Sequence, residues 1–217
     1  MKGTLIALGF ALLLPAIAAA EPAKLPNPEA CVIPCGICLV GTTAGVDDAR
    51  GAFSITIRDF ANNPVAGSSV LIDFSGCAPD IHVCSVQTGA AGVNCSLGPG
   101  FVYGVTDMTG MTTMCIVGGA HNAGTHTGGA DFQCAAIYAD GVQLGHVNVA
   151  AFDEDGSSGV NPTDASMWFS DGLDYPGAYR GRSDYDCSHS VTPADLSILM
   201  QASLDHRSLN SCSAYCN

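Results

Sequence analysis

One twelve-residue stretch decides how the C-terminal part of this chain folds: Asp153-Glu-Asp-Gly-Ser-Ser-Gly-Val-Asn-Pro-Thr-Asp164. It recurs 31 positions later as Asp184-Tyr-Asp-Cys-Ser-His-Ser-Val-Thr-Pro-Ala-Asp195. Six of the twelve positions are identical, and they include the carboxylates at positions 1, 3 and 12. We name the two copies loop one and loop two. Because oxygen-bearing side chains recur at the same spacing, the repeat predicts a pair of similar cation-binding loops.

The spacing of the oxygens fits calcium. Ca²⁺ takes about six to eight oxygen ligands, and the loop of an EF-hand offers them at positions 1, 3, 5, 7, 9 and 12. The chain therefore has two predicted calcium sites. Their predicted ligands are Asp153, Asp155, Ser157, Gly159, Asn161 and Asp164 in loop one, and Asp184, Asp186, Ser188, Ser190, Thr192 and Asp195 in loop two.

Helix capping is a simpler interpretation of part of this pattern. Asn161 and Thr192 each precede a proline and, two residues further on, an aspartate, which is how many helices begin. Capping leaves the acids at positions 1 and 3 unexplained, and three carboxylates crowded together without a cation would repel one another. Position 6, where EF-hands need a positive φ, holds Ser158 and His189 instead of glycine, and position 12 holds Asp. Both departures predict weaker binding than in intracellular sensors.

Each loop should be followed by a helix with one apolar face. The apolar residues match across the repeat: Ala165, Trp168, Phe169 and Leu173 after loop one, and Leu196, Leu199, Met200 and Leu204 after loop two. Neither stripe can be buried by its own copy, so the two copies should pack together around Val160 and Val191. Ion binding and core formation would then be coupled.

Residues 152–217 resemble a type I dockerin, a module of two calcium-binding loop–helix motifs. The resemblance rests on the oxygen-bearing residues at positions 1, 3, 5, 9 and 12 of both loops. It implies a small α-helical module that docks onto a cohesin-like protein through positions 10 and 11, which here are Pro162, Thr163, Pro193 and Ala194. Cys187, Cys212 and Cys216 indicate a disulfide clasp for this module.

The middle of the chain, residues 51–151, has the alternation of short β-strands. Apolar and polar residues alternate over 53–57 and 70–74, and further strands are predicted at 101–106, 112–118, 133–139 and 142–150. Asn62–Gly67 and Asp140-Gly141 carry turn chemistry between them. The pattern favours an antiparallel β-sandwich of immunoglobulin-like type. The stretches 58–70 and 106–110, with their Asn-Pro-Val-Ala-Gly and Thr-Asp-Met-Thr-Gly turns, also resemble bacterial Ig-like domains.

The N-terminal residues indicate export. Residues 1–20 combine Lys2, a short apolar run and three alanines, which is typical of a secretory signal peptide, and no second run is long enough to span a membrane. Residues 21–50 read as an irregular Pro/Cys-rich lead-in. The chain has 11 cysteines, all beyond residue 20, and in a secreted or cell-surface protein these favour disulfides. Their odd number leaves one without a partner within the chain.

Charge and motifs exclude several functions. The net charge is −13 with only 7 Lys and Arg, so the chain lacks the basic surface that nucleic-acid binding needs. Zinc at Cys31, Cys35 and Cys38, or a transition metal at His121 and His126 near Asp131, is disfavoured against disulfides and solvated histidines.

Three functions follow from these observations. The preferred hypothesis is a secreted, non-catalytic calcium-binding protein, whose dockerin-like module binds a cohesin-like partner or its own Ig-like domain. The alternative is an adhesin whose Ig-like domain binds glycan, protein or extracellular matrix. A small secreted hydrolase ranks third, below the other two, because the sequence contains no catalytic motif.

Overall fold

A computed structural model describes most of the chain beyond the predicted signal peptide. The described residues are 24–77, 80–88, 92–96, 100–120, 133–157, 159–173, 181–205, 208, 212 and 214–216. Residues 1–20, His121, His126 and Asp131 lie outside them. Among the described residues no helix is long and apolar enough to cross a membrane.

The described chain is mainly β, as the sequence predicts, with two α-helices near the C-terminus. The strands are β1 (Gly36–Leu39), β2 (Thr42–Thr43), β3 (Val46–Asp47), β4 (Phe53–Thr56), β5 (Ser69–Asp73), β6 (Ile81–Val83), β7 (Gly92–Asn94), β8 (Phe101–Val105), β9 (Met111–Met114), β10 (Gly118–Ala120), β11 (Ala135–Ala139) and β12 (Val142–Ala151). The helices are α1 (Pro162–Leu173) and α2 (Pro193–Leu204), with 3-10 turns at Ala49–Gly51, Ser75–Cys77 and Gly181–Ser183.

Six strands form the largest sheet, in the order β1-β12-β11-β5-β8-β7. Its pairs are antiparallel except for β1 and β12, which run parallel with Gly36 opposite Asn148. The pairs of named strands within residues 51–151 are all antiparallel, as predicted for that stretch, and the parallel pair arises because the lead-in adds β1 at the edge of the sheet. The pairs β4–β9 and β6–β10 supply further strands, and the predicted strand 112–118 is divided between them, because β9 and β10 pair with different partners.

The predicted turns are present where the sequence places them. Asp140 and Gly141 join β11 to β12 with φ of 48° and 82°, the two positive values that a tight hairpin turn needs. Asn62 and Gly67 also have positive φ. The Asp59 carboxylate accepts hydrogen bonds from the backbone amides of Ala61 and Asn63 at 2.9 and 2.8 Å. These local signals keep successive strands in register.

The larger apolar cluster of the described residues joins the large sheet to the strand pairs β4–β9 and β6–β10. Its fully buried members include Ile55, Ile72, Phe74, Ile81 and Ile137, which alternate with more exposed neighbours along β4 and β5. Burying such alternating side chains from several strands is the main force that closes the domain.

The lead-in, predicted to be irregular, contains the short strands β1, β2 and β3. Its cysteines, Cys31, Cys35 and Cys38, lie outside the disulfides that the described chain shows. The disulfides of the described chain join Cys77 to Cys134, Cys84 to Cys212 and Cys95 to Cys216.

The predicted disulfide clasp within the C-terminal module is also wrong. Cys212 and Cys216 instead connect the C-terminal tail to the β-domain through Cys84 and Cys95. The tail also pairs with the chain around β6, where the Cys216 amide donates to the Val83 carbonyl at 2.9 Å. The helical region is thereby tied to the sheet covalently as well as by packing.

Candidate metal centre

Loop one brings three carboxylates together directly after β12. Carboxylate oxygens of Asp153, Asp155 and Asp164 all lie within 4.8 Å of one another. Oxygens that surround one Ca²⁺ at about 2.3–2.6 Å can be separated by no more than about 5 Å. The three side chains are therefore close enough to share one ion.

Backbone amides hold the carboxylates of loop one in place. Asp153 accepts from Ser157 at 3.0 Å and from Gly159 at 3.1 Å. Asp164 accepts from Glu154 at 2.7 Å. Asn161 lies at the same loop and donates its side-chain amide to the Ser157 hydroxyl at 2.7 Å. The backbone of loop one is thus wrapped around the carboxylates of Asp153 and Asp164.

Loop two repeats most of the backbone bonds of loop one, although Asp184 accepts from the amide of position 6, His189, where Asp153 accepts from position 7, Gly159. Oxygens of Asp184, Asp186 and Asp195 again lie within 4.8 Å of one another. The Ser188 amide donates to Asp184 at 3.0 Å, as Ser157 does to Asp153. Asp195 accepts from the amide of Tyr185 at 2.8 Å. The hydroxyls of Ser188 and Ser190 lie 3.2 Å apart.

Thr192 completes loop two as the cap of α2. Its hydroxyl accepts from the Ala194 amide, while Asp195 accepts from the Thr192 amide at 2.8 Å. The capping interpretation is thus correct for positions 9 and 12. It does not account for the acids at positions 1 and 3, which lie at the same centres.

Positive φ angles shape both loops despite the missing glycines. In loop two, His189 at position 6 has φ of 62° and Cys187 at position 4 has φ of 63°. Loop one uses Gly156 at position 4 and Gly159 at position 7, with φ of 67° and 131°. His189 therefore adopts the left-handed conformation that an EF-hand glycine supplies. Position 6 of loop one, Ser158, lies outside the described residues.

Burial raises the pKa of one carboxyl group of loop one. Asp164 has no exposed surface, and burial raises its pKa to about 7, with the charges of Asp155 and Asp153 adding to the rise and backbone hydrogen bonds opposing it. A cation in the loop would supply the compensating charge, because an opposite charge nearby favours the ionised carboxylate.

The raised pKa of Asp164 predicts that the folding stability of the calcium-free protein falls as the pH rises from acidic to neutral. The folded form binds a proton more tightly than the unfolded chain between about pH 4 and pH 7, so folding stability is highest at the acidic end and falls as the pH rises through 7. We expect the protein in EGTA to melt at a higher temperature at pH 5.5 than at pH 8. Asp164→Asn should flatten this slope; an unchanged slope in the variant would contradict the assignment.

A buried polar network connects the two loops. No local pattern in the sequence indicates it. Glu154 and Tyr185 occupy position 2 of loops one and two, and the Tyr185 hydroxyl donates to Glu154. The Ser183 hydroxyl lies 2.9 Å from Glu154 and 2.8 Å from Asp171. Arg182 forms a two-pronged ion pair with Asp171 at 2.7 and 3.0 Å. Both loops are therefore held by one set of contacts.

Glu154 is the acid that loop one contributes to this network. It is fully buried, and its Oε2 atom makes no hydrogen bond to another residue of the described chain. Burial raises the pKa of Glu154 well above its usual range, against the lowering effect of Tyr185 and Arg182. The only sequence signal for this role was a glutamate at position 2, between the aspartates at positions 1 and 3, and it does not distinguish a buried side chain from a solvated one.

The helices that follow the loops share an apolar core, as predicted. Trp168 of α1 and Leu199 of α2 are buried together with Val160, and Val191 packs against the same cluster. Phe152 and Val40 join them from the ends of β12 and β1. We name these residues the shared core.

Part of each predicted stripe is not covered. Phe169, Met200 and Leu204 are exposed. The four residues predicted to contact a partner, Pro162, Thr163, Pro193 and Ala194, are also exposed, in the first turns of α1 and α2. These first turns are therefore accessible to another molecule.

Comparison with known proteins adds no assignment. No family model, no curated protein and no solved structure matches this chain. What the protein does is therefore inferred from its own residues.

Proposed function

We propose that this chain is a secreted, non-catalytic protein that binds two calcium ions in a C-terminal dockerin-like module beside an Ig-like β-domain. The observation that carries the proposal is the pair of carboxylate triads, 31 residues apart, in loops that share most of their backbone hydrogen bonds. Backbone amides take three of the about four lone-pair directions of the Asp164 carboxylate, so this carboxylate retains acceptor capacity for a cation. Calcium is the hard cation for which EF-hand loops provide ligands at the six positions that the predicted ligands occupy in each loop.

Three features support a structural role for the module. Loop one begins two residues after β12, without a linker. Phe152 and Val40, which directly follow β12 and β1, belong to the shared core. Disulfides attach the C-terminal tail to residues 84 and 95. Calcium would therefore organise a module that is locked against its own Ig-like neighbour, while the exposed first turns of both helices remain free to contact a cohesin-like partner.

Two features support the proposal that the protein has no catalytic role. A general acid or base must reach the atom it serves, whereas Glu154, whose pKa burial raises well above its usual range, is completely buried and bonded to Tyr185 and Ser183. The triads use their carboxylates to accept backbone amides. Hydrolysis of polysaccharide or ester substrates by the pure protein would contradict this part of the proposal.

Thermal melting with and without calcium tests the proposed function. We expect calcium to raise the melting temperature and EGTA to reverse the rise. Magnesium should do so less, because Mg²⁺ demands near-octahedral geometry at about 2.0–2.1 Å and gives up its waters reluctantly. Protein that melts at the same temperature in calcium and in EGTA would refute calcium as the organising ion.

A groove on the outer face of the large sheet favours a second candidate, the glycan-binding adhesin. Leu71, Phe101 and Tyr138 line it together with the carboxylates of Asp73 and Asp140. Ring faces and carboxylates are groups that pack on sugar rings and accept hydrogen bonds from their hydroxyls. Glycan-array binding that Tyr138→Ala abolishes would support this function.

Tyr103 offers a matched control for the glycan test. It lies on the same sheet face, opposite Leu71 in the ladder, but its ring covers Gly92, so that a Cβ atom there would be 2.3 Å from the ring. Tyr103→Ala should leave glycan binding unchanged. If the protein bound no glycan on the array, the hypothesis of a glycan-binding adhesin would be contradicted.

A further inference from the structure

Cysteines without a disulfide meet at two places in the structure. Five described cysteines lie outside the three disulfides: Cys31, Cys35, Cys38, Cys115 and Cys187. Two of them, Cys35 and Cys187, are far apart in sequence, yet their thiols lie within hydrogen-bonding reach of each other. The sequence did not predict a contact between Cys35 of the lead-in and Cys187 of loop two.

The surrounding backbone fixes the position of Cys187 against β1. A Cβ atom on Gly36, the residue after Cys35, would lie 3.0 Å from the Cys187 sulfur. Cys187 also lines one cavity with Cys35, Asn148 and Asp186. Since Gly36 pairs with Asn148 in the sheet, loop two packs directly on the β1–β12 edge at this cysteine. The absence of a side chain at Gly36 is what lets the sulfur approach.

We propose that Cys35 and Cys187 form a disulfide that fastens loop two to strand β1. Cys187 is position 4 of the loop, between the predicted ligands Asp186 and Ser188, and it is one of the two residues that give the loop its positive φ angles. A bond at this residue restrains the loop where its backbone conformation is least favourable for an ordinary side chain.

An independent observation assigns a second bond, between Cys38 and Cys115. Val40 bridges Val117 in parallel orientation, and the Val40 amide donates to the Ile116 carbonyl at 3.1 Å. Cys38 and Cys115 each stand two residues before this bridge, and both cysteines pack against the shared core. The chain segments at such a bridge are about 4.8 Å apart, within the range of Cα separations that a disulfide spans.

Formation of the first bond requires an oxidant, which we assign to the class of small or protein disulfides. The exposed Cys35 thiolate attacks the disulfide, which releases one thiol and leaves a mixed disulfide on Cys35. Cys187 then loses its proton and attacks the Cys35 sulfur, and the second thiol leaves. Two protein thiols are oxidised and one external disulfide is reduced to two thiols, so the exchange is balanced. The same exchange forms the second bond.

Peptide mapping of the full chain, refolded with oxidised and reduced glutathione, tests the assignment. Trypsin leaves residues 25–50, with Cys31, Cys35 and Cys38, separate from residues 183–207, whose single cysteine is Cys187. We expect these peptides to be linked before reduction, and the link to disappear in Cys35→Ser but to persist in Cys31→Ser. A link between residues 25–50 and 59–180 should disappear in Cys38→Ser.

Alkylation of the unfolded, unreduced protein gives a second readout. The proposal predicts one alkylated thiol, on Cys31, where the three disulfides alone would leave five. Five alkylated thiols in protein that contains the Cys77–Cys134 bond, or a peptide 183–207 linked to any other cysteine, would overturn it.

The consequence for calcium depends on the proposed function. A pre-formed loop loses less conformational freedom on binding. In the variant Cys35→Ser plus Cys187→Ser we therefore expect the calcium affinity of loop two to fall by roughly three- to tenfold, with loop one and the Cys31→Ser control unchanged. Equal affinities in variant and control would contradict this coupling. If the wild type binds no calcium, the proposed function fails while the peptide map still decides the disulfide.

Discussion

Replacing Asp153 and Asp184 together by Asn should remove nearly all stabilisation of this protein by calcium. At a calcium concentration about 100-fold above the dissociation constant, each site contributes about 2.7 kcal/mol to the free energy of unfolding, so two sites contribute about 5 kcal/mol. For a domain of this size that corresponds to a shift in melting temperature of about 10–20 °C. The variant should melt at nearly the same temperature in calcium and in EGTA, as measured by circular dichroism or calorimetry.

Asp140→Asn is the matched control for the double variant. It also removes one aspartate charge, but in the β11–β12 turn, where Asn followed by Gly suits the conformation equally well. It should keep the full calcium-dependent shift. A double variant that retains this shift would show that position 1 of the loops does not bind the ion.

Arg182→Met should cost about 3–5 kcal/mol of folding stability, because it leaves a buried carboxylate without its cation. Arg182 and Asp171 are 2% and 3% exposed, and their two short contacts lie beneath both loops. The loss reflects the stranded charge of Asp171 more than the value of the ion pair itself. Urea unfolding in calcium measures it.

Asp205→Asn provides the comparison on the surface. Asp205 pairs with Arg50 at 3.2 Å, but its side chain is 57% exposed, and such pairs contribute about 1 kcal/mol or less. A loss of similar size in both variants would contradict the view that burial makes the Arg182 pair essential. Restoring stability with Arg182→Met plus Asp171→Leu would identify the unpaired charge as the cause.

The local features of this fold could be predicted because they depend on neighbouring residues. The alternation in β4 and β5, the Asp140-Gly141 turn and the start of each helix are decided by side chains within a few positions. The two carboxylate centres were predictable for the same reason, because the three acids of each centre lie within twelve residues and their spacing survives folding.

The features that could not be predicted depend on contacts between distant segments. The parallel pairing of β1 with β12, the pairing of Cys84 with Cys212 and the contact of Glu154 with Tyr185 join residues that no local pattern relates. A buried glutamate has the same sequence signature as a solvated one. The exposure of Phe169 and Met200 could not be predicted either, since an apolar stripe in the sequence does not show how much of its surface a small neighbouring helix can cover.

Calorimetric titration of the chelator-treated, refolded protein with calcium tests the central claim most directly. The account predicts saturable binding of two ions per chain, reduced to one in Asp153→Asn and in Asp184→Asn separately, and to none in the double variant. If the acids served only to cap helices and order the loops, no saturable heat would be observed. That result, or two sites that persist in the double variant, would contradict the account.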